Sequence, residues 1–100
     1  MIKEGNCYYA FIENVPSNII NPVYIYVSRY DPIFDPVLEK EVHAFICDIY
    51  DSNGHLHMNV HILESNIIYP IKLSDKNCKD IFFEDITKKY FDSMESYEYS

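Results

Sequence analysis

Three of the four histidines, His55, His57 and His61, fall within the seven residues HLHMNVH, and Asp48 and Tyr50 lie just upstream. Imidazole ligates metals and moves protons near neutral pH, so this group has two chemistries open to it. On a helix His57 and His61 would have the i,i+4 spacing of zinc proteases, but that motif needs Glu beside the first His, and Met58 stands there. On a strand, four residues span about 13 Å. Both ligand nitrogens of a zinc site must come within about 2.1 Å of the ion. His57, His61 and Asp48 could share a metal only by leaning hard toward one another, and no metal or other cofactor is expected. Proton transfer is the second option, with Tyr50 and His57 as a couple and Asp48 orienting the ring. Ser52 sits beside an exposed turn with no oxyanion donors, and a chain with only Gly5 and Gly54 has no glycine-rich phosphate loop. No catalytic residue is assigned. An enzyme built on His57, His61 and Asp48 is the alternative to a simpler reading, the polar face of a hairpin.

The elements that must position these side chains follow from periodicity. EVHAFICDIYDSNGHLHMNVHILES is two alternating runs joined by Asn53-Gly54, a pair suited to the positive φ angles of a two-residue hairpin turn. Counting outward pairs Ser52 with His55, Tyr50 with His57, Asp48 with Asn59 and Ile46 with His61. The opposite face then carries Phe45, Cys47 and Ile49 against Ile62, Val60 and Met58, and must look into the core. CYYAFIE (7–13), VYIYVSRY (23–30) and NIIYPIKLS (66–74) read as further strands, the last at an edge or bulged because Pro70 cannot donate to a ladder. In the second of these, Tyr24, Tyr26, Ser28 and Tyr30 share one face by alternation. NVPSNIINP is a loop, and DPIFDP, with two Asp-Pro steps, a turn or irregular link. Beyond residue 77 the period becomes helical. Phe82, Phe83, Ile86, Tyr90, Phe91 and Met94 fall on one side, Glu84–Lys88 and Asp85–Lys89 are i,i+4 pairs, and Asn77 with Asp80 resembles a capping box. One helix is expected over roughly 78–93, followed by a frayed acidic tail over 94–100. The fold class is α+β: about five mostly antiparallel strands, with one C-terminal helix packed on one sheet face, in a single domain over 1–100.

Composition narrows the partners. Sixteen acids against eight bases leave a net charge of −8, which disfavours direct nucleic-acid contact and anionic membranes. No apolar run is long enough to span a bilayer, and the N-terminal segment does not read as a secretory signal. Three widely spaced cysteines suggest neither a disulfide framework nor a metal knuckle; they read as small buried apolar groups in a reducing cytoplasm, the host's if the chain is virus-encoded. Abundant Ile, Asn, Tyr and Lys with almost no Ala or Gly is the usage of an AT-rich genome, such as a low-GC bacterium or its virus. Ten tyrosines and no tryptophan raise the prospect of an aromatic contact surface. The partner-binding residues expected are Tyr24, Tyr26, Tyr30, Asp31, Asp35, Asp48, Tyr50, His57 and His61. The expected function is that of a small acidic inhibitor or immunity-type protein, a phage counter-defence protein among them. It would block a basic, nucleic-acid-binding surface of a nuclease or toxin, in its strongest form by mimicking nucleic acid. A self-associating module, with two copies paired through the tyrosine face, is a second alternative.

Overall fold

The computed structural model describes residues 1–84; the expected helical residues 85–93 and the acidic tail 94–100 lie outside them. Five strands form one antiparallel sheet: β1 (Cys7–Ile12), β2 (Val23–Tyr30), β5 (Ala44–Tyr50), β6 (Leu56–Leu63) and β7 (Ile67–Lys72), in the order β6-β5-β2-β1-β7. Two short strands, β3 (Ile33–Asp35) and β4 (Lys40–Val42), pair with each other as a separate ribbon. A helical segment, α1 (Asp75–Lys79) continuing into one π turn (Asp80–Glu84), packs on one sheet face through Cys78 and Phe82. The architecture is thus the expected α+β arrangement of antiparallel strands with a C-terminal helix. The helix starts earlier than the sequence suggested: the hydroxyl of Ser74, not the Asn77 side chain, accepts the amide of Asn77 and caps the first turn.

The sheet cannot be flat. Its edge strands β6 and β7 are joined by a single 3-10 turn, Glu64–Asn66. Four residue steps reach at most about 14 Å, whereas the edges of a flat five-stranded sheet lie about 19 Å apart. The sheet therefore rolls, and the inside of the roll is the main core. Val23, Ile25 and Val27 of β2 and Cys47 and Ile49 of β5 are fully buried there. The 13–22 loop helps seal it with Val15 and Ile19, its Asn21 amide bonding both the N–H and the carbonyl of Ile12 at 2.8 Å.

Three irregularities accompany the roll. Ser28 is an extra residue in β2 opposite β5, Met58–Asn59 in β6 oppose a single residue of β5, and Tyr69–Pro70 in β7 do the same against β1. Asn59 and Tyr69 take positive φ angles of 55° and 52°. Bulges strengthen local twist and let a sheet curl, and the last two also roughen both exposed edges against further pairing. Pro70 accordingly lies in an edge strand, at a bulge, as its missing N–H requires.

The convex face carries a second, smaller cluster in which Cys7, Cys78 and Phe82 pack with Tyr24, Tyr26 and Tyr50. Cys7 and Cys78 are joined as a disulfide, with a Cα–Cα separation of 5.6 Å, across 71 residues of sequence. This corrects the expectation of three unpaired cysteines. An odd count conceals a pair that only the tertiary fold brings together. Cys47 alone is free, buried in the main core.

Candidate interaction surface

The histidine hairpin departs from the two-residue turn, for a local reason. Asp51 stands at its start, and its carboxylate accepts the amides of Asn53 and His55, both at 3.0 Å. The Asp51 N–H in turn donates to the His55 carbonyl, and the Gly54 N–H to the Asp51 carbonyl. The loop is therefore three residues, Ser52, Asn53 and Gly54, with Gly54 at φ 77° in the left-handed position such loops require. The pairing beside it slips by one place, Tyr50 with Leu56 and Ile49 with His57. The bulge at Met58–Asn59 then cancels the slip, so Ile46 with His61 and Cys47 with Val60 pair as counted.

This slip separates the proposed chemistry. His57 lies on the side of Ile49, in the direction of the core, while His61 remains on the side of Ile46. The Asp48 carboxylate accepts the Asn59 amide at 3.1 Å and so braces the bulge. His57, His61 and Asp48 do not converge, and among the described residues no group of three or more potential ligands is placed to hold a metal ion. Tyr50 and His57 likewise project to opposite faces. The His57 ring bonds instead to Asp51, Nε2 to Oδ2 at 2.9 Å. Asp51 is 4% exposed and also accepts the Ile20 amide at 3.4 Å. Burial alone would push its carboxyl up. The hydrogen bonds from His57 and from the amides of His55, Ile20 and Asn53 outweigh burial and hold it at about 2. A carboxylate–imidazole pair can orient a general base; here the carboxylate also accepts three backbone amides. Ser52 donates its hydroxyl to the Pro22 carbonyl at 2.6 Å. Burial, then the Asp48 charge, pushes the Cys47 thiol up to about 12.

The tyrosines also divide. Tyr24, Tyr26 and Tyr50 stay together on the convex face, half-buried beneath the C-terminal segment, with Tyr26 ring centroids 6.1 Å from Phe82 and 5.2 Å from Phe83. The bulge at Ser28 turns Tyr30 over to the side of Phe45, where the two rings meet edge to face at 5.4 Å. Simple alternation, which placed Tyr30 with Tyr24 and Tyr26, fails at that one residue.

Tyr30, Asp31, Asp35 and His61 meet around the β3–β4 ribbon, which the two Asp-Pro steps had marked as an irregular link. The Tyr30 hydroxyl and His43 Nδ1 lie 2.7 Å apart across the ribbon's base. His61 Nε2 lies 2.8 Å from the Asp31 carbonyl and 3.6 Å from its carboxylate. At the tip, Asp35 Oδ1 accepts the amides of Val37 and Leu38 at 2.8 and 3.2 Å, and Glu39 takes φ 51°. Both strands of the ribbon are largely exposed. Ile33, Phe34, Val37 and Leu38 are 37, 59, 88 and 57% exposed, and Asp31, Asp35, Glu39 and Glu41 stand among them. Lone exposed apolar residues are ordinary, but four in six positions is a concentration of the kind that marks contact sites. This patch escaped sequence reasoning because prolines demoted the segment. The available signal was the apolar content of DPIFDPVLEKEV, too rich for a mere linker. Comparison with protein-family models, curated proteins and solved structures finds no match for this chain.

Proposed function

We propose that this chain is a small acidic binding protein without catalytic activity, of the inhibitor or immunity type, that covers a basic surface of a partner protein such as a nuclease or toxin. The observation that carries this reading is the β3–β4 ribbon, an exposed apolar tip among carboxylates, braced at its base by Tyr30–His43 and His61–Asp31. Apolar side chains at the centre of a contact supply affinity, and surrounding charge sets encounter rate and partner choice. Nucleic-acid mimicry is the special case in which those carboxylates take the places of phosphates. The immobilised protein should capture a basic protein from a lysate of its source at low salt. Capture should weaken near 0.5 M salt, where surface charges are screened, and fail for the Val37→Ser/Leu38→Ser variant. Recovery of no basic protein at any salt counts against the reading, and a dimer in light scattering that the same variant dissolves favours self-association instead.

The compartment proposed with this function is the cytoplasm. Disulfides in that compartment are normally reduced, so Cys7 and Cys78 would be thiols there and the convex cluster would hold by packing alone. Quenching intact cells in acid, then alkylating in denaturant so that the buried thiols are reached, followed by intact-mass measurement, distinguishes the two states. Two blocked thiols besides Cys47 support a reducing compartment, and none places the protein outside it.

A further inference from the structure

We propose that the groove beside the base of the ribbon is a pocket for one arginine side chain of the partner; the proposal rests on the binding-protein reading and specifies its chemistry. The groove, about 530 Å³, is floored by Ile2 and Phe45, which are 6 and 4% exposed. The Tyr30 ring, turned to this side by the bulge at Ser28, forms one wall and is held by its contacts with Phe45 and His43. Glu4 and Glu64 supply two carboxylates. Glu4 accepts the Tyr30 amide, and among the described residues neither acid forms an ion pair. Among the described residues Met1 and His43 complete the lining, and no Lys or Arg side chain lines the groove. The contrast lies next to it: a second groove of about 510 Å³, on the far side of His43 and Glu64, holds Lys40 beside Glu41.

An apolar floor, an aromatic wall and two carboxylates that form no ion pair among the described residues fit a guanidinium better than any other common side chain. Its stem can lie over Ile2 and Phe45, its plane can stack on Tyr30, and its fork can donate to carboxylate oxygens. A lysine ammonium would gain the charge but neither the stacking nor the paired donors.

The probe is acetyl-Gly-Arg-Gly-amide, titrated into 15N-labelled protein and followed by amide shifts, with the lysine peptide and the neutral citrulline peptide as controls. The arginine peptide should produce saturable shifts centred on Tyr30, His43, Phe45 and Glu64. The lysine peptide should bind several-fold more weakly and the citrulline peptide not measurably. Glu64→Gln, a part-exposed isostere whose spectrum reports its own folding, should weaken arginine binding by about tenfold, the scale of a charge-assisted hydrogen bond. Shifts spread over carboxylates throughout the molecule, an equal response to citrulline, or indifference to Glu64→Gln would overturn the pocket. Failure here is separable from failure of the function: a basic partner captured equally well by the Glu64→Gln protein removes the pocket and leaves the binding reading standing.

Discussion

Two hairpin tips in this molecule open with the same device and end in opposite states. At the β5–β6 tip and at the β3–β4 tip an aspartate carboxylate accepts the backbone amides that follow it, Asp51 for Asn53 and His55, Asp35 for Val37 and Leu38. Asp51 is buried and also serves His57 and Ile20, so that tip is stitched to the 13–22 loop and to the wall of the core. Asp35 stands at a tip whose apolar side chains touch water. The first hairpin uses its polar groups inside the protein. The second leaves apolar side chains exposed, which on the proposed reading a partner covers. Histidines and acids drew attention to the first as a source of chemistry; there Asp51 bonds to three backbone amides and to His57, and the exposed apolar surface lies at the second.

The comparison can be broken most directly by truncating each carboxylate. Asp51→Ala leaves three amides and an imidazole without their acceptor and should lower the melting temperature by roughly 10 °C or more, followed by circular dichroism. Asp35→Ala should lower it by no more than about 3 °C, because water replaces the lost acceptor at an exposed tip. Equal losses would mean that the two tips are not different in kind. A second pair uses backbone strain. Asn59 and Glu39 both hold positive φ, where a β-branched residue is disfavoured by about 1–2 kcal/mol. Asn59→Val should lower global stability by that amount, whereas Glu39→Val should loosen only the ribbon, seen as faster amide exchange over 33–42 with little change in melting.

The pH dependence tests the first tip. The Asp51 carboxyl is held at about 2 in the fold, below its ordinary value of 3.8. Its contribution is therefore fully present above pH 4 and is lost as pH falls from about 4 toward 2. Wild type should be more stable than Asp51→Asn at pH 7, and the gap should close over that acid window in melting curves at pH 7, 4 and 2.5. A gap independent of pH would show that the carboxylate's charge is not what matters. The smallest stability effect belongs to Val37→Ser/Leu38→Ser, within about 2 °C of wild type, while partner affinity should fall at least tenfold by calorimetry, because residues of this kind act as contact anchors.

Much of the scaffold was legible in residue order. Alternation in VYIYVSRY and in the two runs around Asn53-Gly54 marks β2, β5 and β6, and Pro70 marks a bulged edge, because both rest on properties of single residues and their immediate neighbours. The site was less legible. One inserted residue reverses every facing beyond it, so the bulge at Ser28 carries Tyr30 away from Tyr24 and Tyr26. The three-residue loop and the bulge at Asn59 offset one another on either side of His57. The turn pair Asn53-Gly54 was conspicuous, but the aspartate that decides the loop length stands two residues earlier. A helical start near residue 77 was legible, while its cap at Ser74 was hidden by the nearer Asn77, and the periodicity past residue 84 lies outside the described residues.

By itself the residue order determined the strands, the antiparallel hairpins, the aliphatic interior and the acidic exterior, since these follow from side-chain volume, charge and the two-residue period of extended chain. Only the tertiary structure decided that the sheet rolls until a three-residue turn can join its edges, that Cys7 meets Cys78, and that the C-terminal segment lies over the tyrosines. Those outcomes depend on where bulges accumulate twist and on which distant surfaces then come into reach, quantities that no local pattern carries.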